Sequence, residues 1–180
     1  MATERLLLKN SDRVANIFLN MDSPISREDF FKIRELPHWE QRLMSPETLS
    51  GVLFWHFDDK DPSHVGQILT DGGRSQRLEF VAETYLDKLP FLQDKYPAFT
   101  TKVERIRKIM ASGVDMSPLL LVSGRMPGSP MNLVDGNFRA LSLLVQSFVQ
   151  PGEEWKIEAF VGRKLYFWEF ALSTAGGFLE

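Results

Sequence analysis

The sequence predicts an α+β fold, and three observations carry that prediction. Up to about Gly113 the apolar residues recur mostly at helical spacing. After Gly113 they shift to short unbroken runs and to strict alternation, the patterns of buried and half-buried strands. One strong helical period interrupts those strands, giving the order β-β-α-β after a run of helices. A mainly helical part, residues 1–113, is therefore expected to pack on a small β-β-α-β sheet unit, residues 114–180, in a single domain over residues 1–180.

Each element has its own signal. Ser11 heads a short helix with Val14, Ile17 and Phe18 on one face, and Ser26 precedes Arg27-Glu28-Asp29, an acidic first turn. His38, in Leu36-Pro37-His38-Trp39-Glu40, reads as a loop or helix start. Ser45-Pro46-Glu47 is a helix opening, a capping hydroxyl followed by Pro at the first helical position. Leu49, Val52, Leu53 and His56 extend that helix to about Phe57. Asp58–Gly73 is rich in Asp, Pro and Gly and reads as loop. Ser75 opens a helix with Leu78, Val81, Ala82, Tyr85, Leu86 and Leu89 inward, which Pro90 ends or kinks. Residues 98–110 form another, with Phe99, Val103, Ile106 and Met110 inward and Lys102, Arg105, Arg107 and Lys108 outward.

Leu119-Leu120-Leu121-Val122, between Pro118 and Gly124, suits a buried strand, and Met131-Asn132-Leu133-Val134 a second. Asp135-Gly136-Asn137 is a turn. Leu141, Leu144, Val145 and Phe148 then mark the face of a helix ended by Pro151-Gly152. Trp155, Ile157, Ala159 and Val161 alternate with Lys156, Glu158 and Phe160 in a last strand.

Composition excludes several function classes. An apolar content of 43%, with 14 Phe, supports a sizeable core and argues against disorder. A net charge of -3 excludes a broadly basic nucleic-acid coat. No apolar run approaches the roughly 20 residues that span a bilayer, so no membrane partner is expected. Met1-Ala2-Thr3-Glu4 lacks the layout of a secretion signal, and there is no cysteine. Both fit a cytoplasmic location. The missing thiols remove disulfides, thiolate metal sites and cysteine nucleophiles.

The chemistry concentrates in Leu133-Val134-Asp135-Gly136-Asn137-Phe138-Arg139-Ala140-Leu141. A strand, a glycine turn and a helix start offer unpaired backbone N–H groups and the positive end of a helix dipole. Gly136 permits a close backbone approach, and Arg139 adds a forked cation suited to phosphate or carboxylate. Asp135 would repel a phosphate directly. It suits orienting Arg139, accepting from a ribose hydroxyl or holding a divalent cation. The same residues also suit a purely structural turn, with Asp135 and Asn137 capping and Arg139 in a surface ion pair.

Asp135-Gly136-Asn137-Phe138-Arg139-Ala140-Leu141 resembles the Asp-Gly-Asn/Gln-His-Arg-x-x-Ala signature of the ParB/sulfiredoxin-like superfamily, over roughly Pro118 to Phe170. The resemblance implies a nucleotide-binding turn: Gly136 and Asn137 cradle phosphate, Arg139 pairs with it, and Asp135 is the turn acid. It implies a nucleoside triphosphate with Mg2+ as ligand. If the site is catalytic, phosphoryl transfer or nucleotide hydrolysis is the expected chemistry, but no residue stands out as acid or base. Phe138 occupies the superfamily's His position and cannot do imidazole chemistry. The absent cysteine closes the sulfiredoxin reaction, and no helix-turn-helix follows the motif.

Other features support alternatives. Arg125, in the loop Ser123–Pro130, is a further candidate for an anion at the turn, and Gly162-Arg163-Lys164 a basic turn expected at the same end of the sheet. His56, Asp58 and His64 could make a metal-dependent enzyme, although His56 also falls on an apolar helix face. A non-enzymatic protein-interaction module is a separate reading, with the aromatic segment Phe167-Trp168-Glu169-Phe170 as a homodimer edge. The tryptophans fit core or interface positions, and nothing points to an organic redox cofactor.

Overall fold

The computed structural model describes residues 6–8, 36, 38–54, 65–70, 72, 76–123 and 129–163. The expected helices after Ser11 and Ser26 lie outside these residues. In chain order the described elements are β1 (Leu6–Leu8), β2 (His38–Met44), α1 (Pro46–Ser50), β3 (Leu53–Phe54), α2 (Val65–Leu69), β4 (Gln76–Arg77) and α3 (Leu78–Asp87). They continue with α4 (Leu89–Lys95), α5 (Pro97–Ala111), β5 (Leu119–Val122), β6 (Asn132–Asp135), α6 (Asn137–Val149) and β7 (Ile157–Arg163). The chain is thus mixed α and β.

The seven strands form one sheet in the order β1-β2-β7-β5-β6-β3-β4. The pairs β5–β7 and β3–β6 are parallel and the others antiparallel. Its centre comes from the expected β-β-α-β segment, β5, β6 and β7. Its flanks come from the first part of the chain, so the sheet extends beyond the expected β-β-α-β unit, while helices still outweigh strands among the described residues of 1–113. That part supplies four of the seven described strands.

Strand β2 is hard to read because Glu40 and Arg42 occupy its core-facing side. In its antiparallel register with β7, Glu40 lies opposite Val161, Arg42 opposite Ala159 and Met44 opposite Ile157. Residues directly opposite share a face, and Met44, Ile157, Ala159 and Val161 all belong to the helix-covered core. Pairing with β7 therefore decides this strand, against its binary pattern. Buried Glu40 is compensated there: Arg42 Nε donates to its carboxylate at 2.8 Å and Arg163 Nη2 lies 3.2 Å from it. His38 thus sits in a strand, not in a loop or helix start.

Two further expectations change. The Ser45 helix is only α1: Ser45 caps it by accepting from the Thr48 amide at 3.4 Å, but Gly51 ends it and Leu53 and Phe54 join the sheet. Asp58–Gly73 is not all loop, because Val65 and Leu69 are buried and close one helical turn, α2.

The other helices follow their periods. Pro90 separates the paths of α3 and α4 and sits in the first turn of α4, where a missing N–H costs nothing. The core of α6 is buried nearly all round, from Ala140 through Gln146, because α1, α3 and α5 all pack on it above the sheet. Arg107 is not on the outer side of α5: its Nε donates to the Gln146 side chain of α6 at 2.9 Å. The opposite sheet face is buried as well, at Trp39, Leu120 and Phe160.

Tyr85 of α3 lies in this core, its ring tilted against Phe99 at 6.1 Å between centroids. Burial, with some help from the Glu104 carboxylate, pushes its phenol up to about 12. The folded state therefore holds this proton after the unfolded chain has lost it, and stability falls as pH rises from about 10 toward 12. The hydroxyl has no hydrogen-bond partner among the described residues. Tyr85→Phe is expected to flatten that alkaline loss. At pH 7 its stability should match the wild type or exceed it by up to about 1 kcal/mol, as read from urea midpoints at both pH values.

Candidate functional site

The turn after β6 is built around one glycine. Asp135 ends the strand, and Gly136 takes φ +94° and ψ +22°, a left-handed conformation, as the N-cap of α6. Its carbonyl accepts from the Ala140 amide at 2.9 Å, closing the first helical turn. A Cβ at this position would lie 2.5 Å from Leu119 Cδ2 and 3.0 Å from Arg139 Nη2. Gly136 is thus required both by its backbone angle and by the strand and guanidinium that close over it.

Arg139 is turned inward over this glycine. Its Nη2 donates to Asp135 Oδ2 at 2.9 Å and to the Pro118 carbonyl at 3.1 Å. The side chain is 13% exposed and that of Asp135 28%. Of the alternatives for Asp135, the structure has it orienting Arg139. Neutralising the guanidinium in this way takes most of its charge away from any ligand. Two polar atoms at the turn, Arg139 Nε and Asn137 Oδ1, are buried with no hydrogen-bond partner among the described residues.

Phe138, at the position where the resembled signature has His, does not lie beneath the turn. Its ring packs on Phe99 at 5.2 Å between centroids, and Lys102 Nζ stands 3.8 Å from its centroid. It thereby lines a pocket of about 400 Å3 with Tyr96, Phe99, Lys95 and Lys102. Here α4, α5 and the first turn of α6 meet. Sequence reasoning missed this grouping, because Lys102 reads as part of a solvated helix face and only packing brings it to Phe138. Lys95 pairs with Asp94 at 3.0 Å, a fully solvated contact of little strength.

The sheet register moves another candidate away. Strand β6 runs antiparallel to β5, so Asp135 lies beside Leu120 near the start of β5, while Val122 pairs with Gly162 at the far end. Gly162 and Arg163 are therefore at the opposite end of the sheet from Gly136, not at the same end. Arg125, His56, Asp58, His64 and the Phe167–Phe170 segment all lie outside the described residues. Among the described residues, no group of three or more His, Cys, Asp or Glu could hold a metal ion. No helix among them is long and apolar enough to cross a membrane.

The sequence matches no protein-family model, and no curated protein and no solved structure matches it.

Proposed function

We propose that the protein binds a nucleotide, or another phosphorylated small molecule with a planar apolar part, beside the first turn of α6. On this reading β5-β6-α6-β7 is a ParB/sulfiredoxin-like unit whose binding charge has moved. The observation that carries it is the pocket in which Tyr96, Phe99 and Phe138 meet Lys95 and Lys102. Its volume of about 400 Å3 is in the range of small-molecule sites. A base ring would pack against Phe138 and Tyr96, and phosphates would draw on Lys102, Lys95 and the amide end of α6. Arg139 then acts as a positioning residue that holds the turn through Asp135. A triphosphate would bring Mg2+ with it.

The test is thermal unfolding with ATP, CTP and GTP, each with and without Mg2+. One of them at a hundredfold excess over its Kd should add about 2.7 kcal/mol of stability. For a chain of this size that is roughly 5–10 °C in Tm. Lys102→Ala should abolish the shift while lowering the unliganded Tm by no more than about 4 °C, the loss of one exposed cation–π contact with Phe138. No shift with any nucleotide would overturn the proposal.

A second reading is a protein-interaction module in which the turn is structural. The closed Asp135–Arg139–Pro118 contact favours it, because the turn satisfies its own charges.

A further inference from the structure

Helix α6 carries an apolar residue that the fold leaves uncovered. Its buried stripe runs through Leu141, Leu144 and Val145, and the next residue of the same period is Phe148. Phe148 is 41% exposed. It opens onto a groove of about 790 Å3 between the end of α6, the start of α1 and the segment that leads into β7. Pro46, Leu144 and Trp155 complete the apolar floor.

The rim of this groove is acidic. Glu47, Glu79, Glu153 and Glu154 line it. Lys156, the one cation among the described lining residues, is already paired with Glu154. The Ser45 hydroxyl, as the main cause, lowers the pKa of the Glu47 carboxyl from its ordinary value. An apolar floor under several carboxylates repels nucleic acid, anionic lipid and acidic protein surfaces, and it attracts cations that carry apolar side chains.

We propose that this groove docks a basic peptide segment of a partner protein. An apolar side chain of the segment would cover Phe148, while flanking lysines or arginines face Glu47, Glu79 and Glu153. The inference is independent of the nucleotide pocket, which lies around Phe138 at the other end of α6.

The test is fluorescence anisotropy with a labelled peptide of interspersed lysine, arginine and leucine. Two control peptides replace its basic residues by glutamate or its leucines by serine. The basic apolar peptide is expected to bind, and its affinity to fall about tenfold or more between low and high salt. Both controls should bind at least about tenfold more weakly. The double variant Glu153→Lys with Glu154→Lys should lose binding about tenfold, as should Phe148→Ser. Both variants should stay folded, with a lower melting temperature for Phe148→Ser because its ring is more than half covered, and both should keep any nucleotide-induced shift, so failure here and failure at the Phe138 pocket are distinguishable. Absence of binding by the basic peptide, equal binding of the acidic control, or indifference to the charge reversal would overturn the proposal. Concentration-dependent self-association that Phe148→Ser abolishes would also overturn it, by assigning the groove to a second copy of the chain.

Discussion

Replacing Trp39 by alanine is expected to cost about 3–5 kcal/mol, the range for deleting a large buried ring. Trp39 is fully buried on the sheet face opposite the helices, with Leu36, Leu120 and Phe160 also buried there. Its ring fits against a residue that has no side chain. A Cβ on Gly162, its register partner in β7, would lie 2.7 and 2.9 Å from Trp39 ring carbons and 2.6 Å from Leu36 Cδ1. Relative to a typical total stability of roughly 5–15 kcal/mol, the loss would leave a marginal protein. Gly162→Ala alone should cost about 1–3 kcal/mol by overpacking, and much less once Trp39→Ala has made room. Chemical unfolding of the two single variants and the double variant measures both effects. Additive costs would show that the ring and the glycine do not share one slot.

The second large effect is expected at Gly136. Alanine there must adopt a left-handed conformation, which costs about 1–2 kcal/mol. Its methyl also meets Leu119 Cδ2 at 2.5 Å, and displacing that buried side chain adds about 1–3 kcal/mol. The combined expectation is about 2–5 kcal/mol from urea unfolding, with valine worse than alanine. Leu119 anchors β5 and Arg139 holds the turn, so on the nucleotide-binding proposal any remaining folded Gly136→Ala should also show a smaller nucleotide-induced shift than the wild type. A Gly136→Ala protein as stable as the wild type would refute the tight closure described here.

Where local chemistry dominates, the sequence was readable. The Ser45 cap, the break at Pro90, strands β5 and β6, the glycine turn and α6 all follow from residue type and spacing. Strand β2 does not, because its core side carries Glu40 and Arg42, and the burial of Glu40 is compensated by Arg42 and by Arg163 from β7. The extent of α1 was overread because Leu53 continues a helical period that Gly51 has already ended. At the candidate site, the turn and its five residues were legible, and so was the choice between an open and a self-paired Arg139. Which alternative holds depends on Pro118 lying above the guanidinium, a fact of packing. The Phe138–Lys102 pocket and the bare Phe148 were hidden for the same reason: each depends on which surfaces neighbouring helices reach.

The strand order also constrains when the molecule can form. Strand β2 needs β7, which follows it by well over half of the chain's length, and β3 needs β6, which follows it by more than two-fifths of that length. Such long-range pairing raises contact order and slows folding. During synthesis the described strands of the first part of the chain emerge as two sheet fragments, β1–β2 and β3–β4, each with an unpaired inner edge. Those edges stay open to wrong partners until Asn132–Arg163 have been made and inserted between them. The nascent chain, more than the finished protein, is therefore the form that exposes strand edges to mispairing.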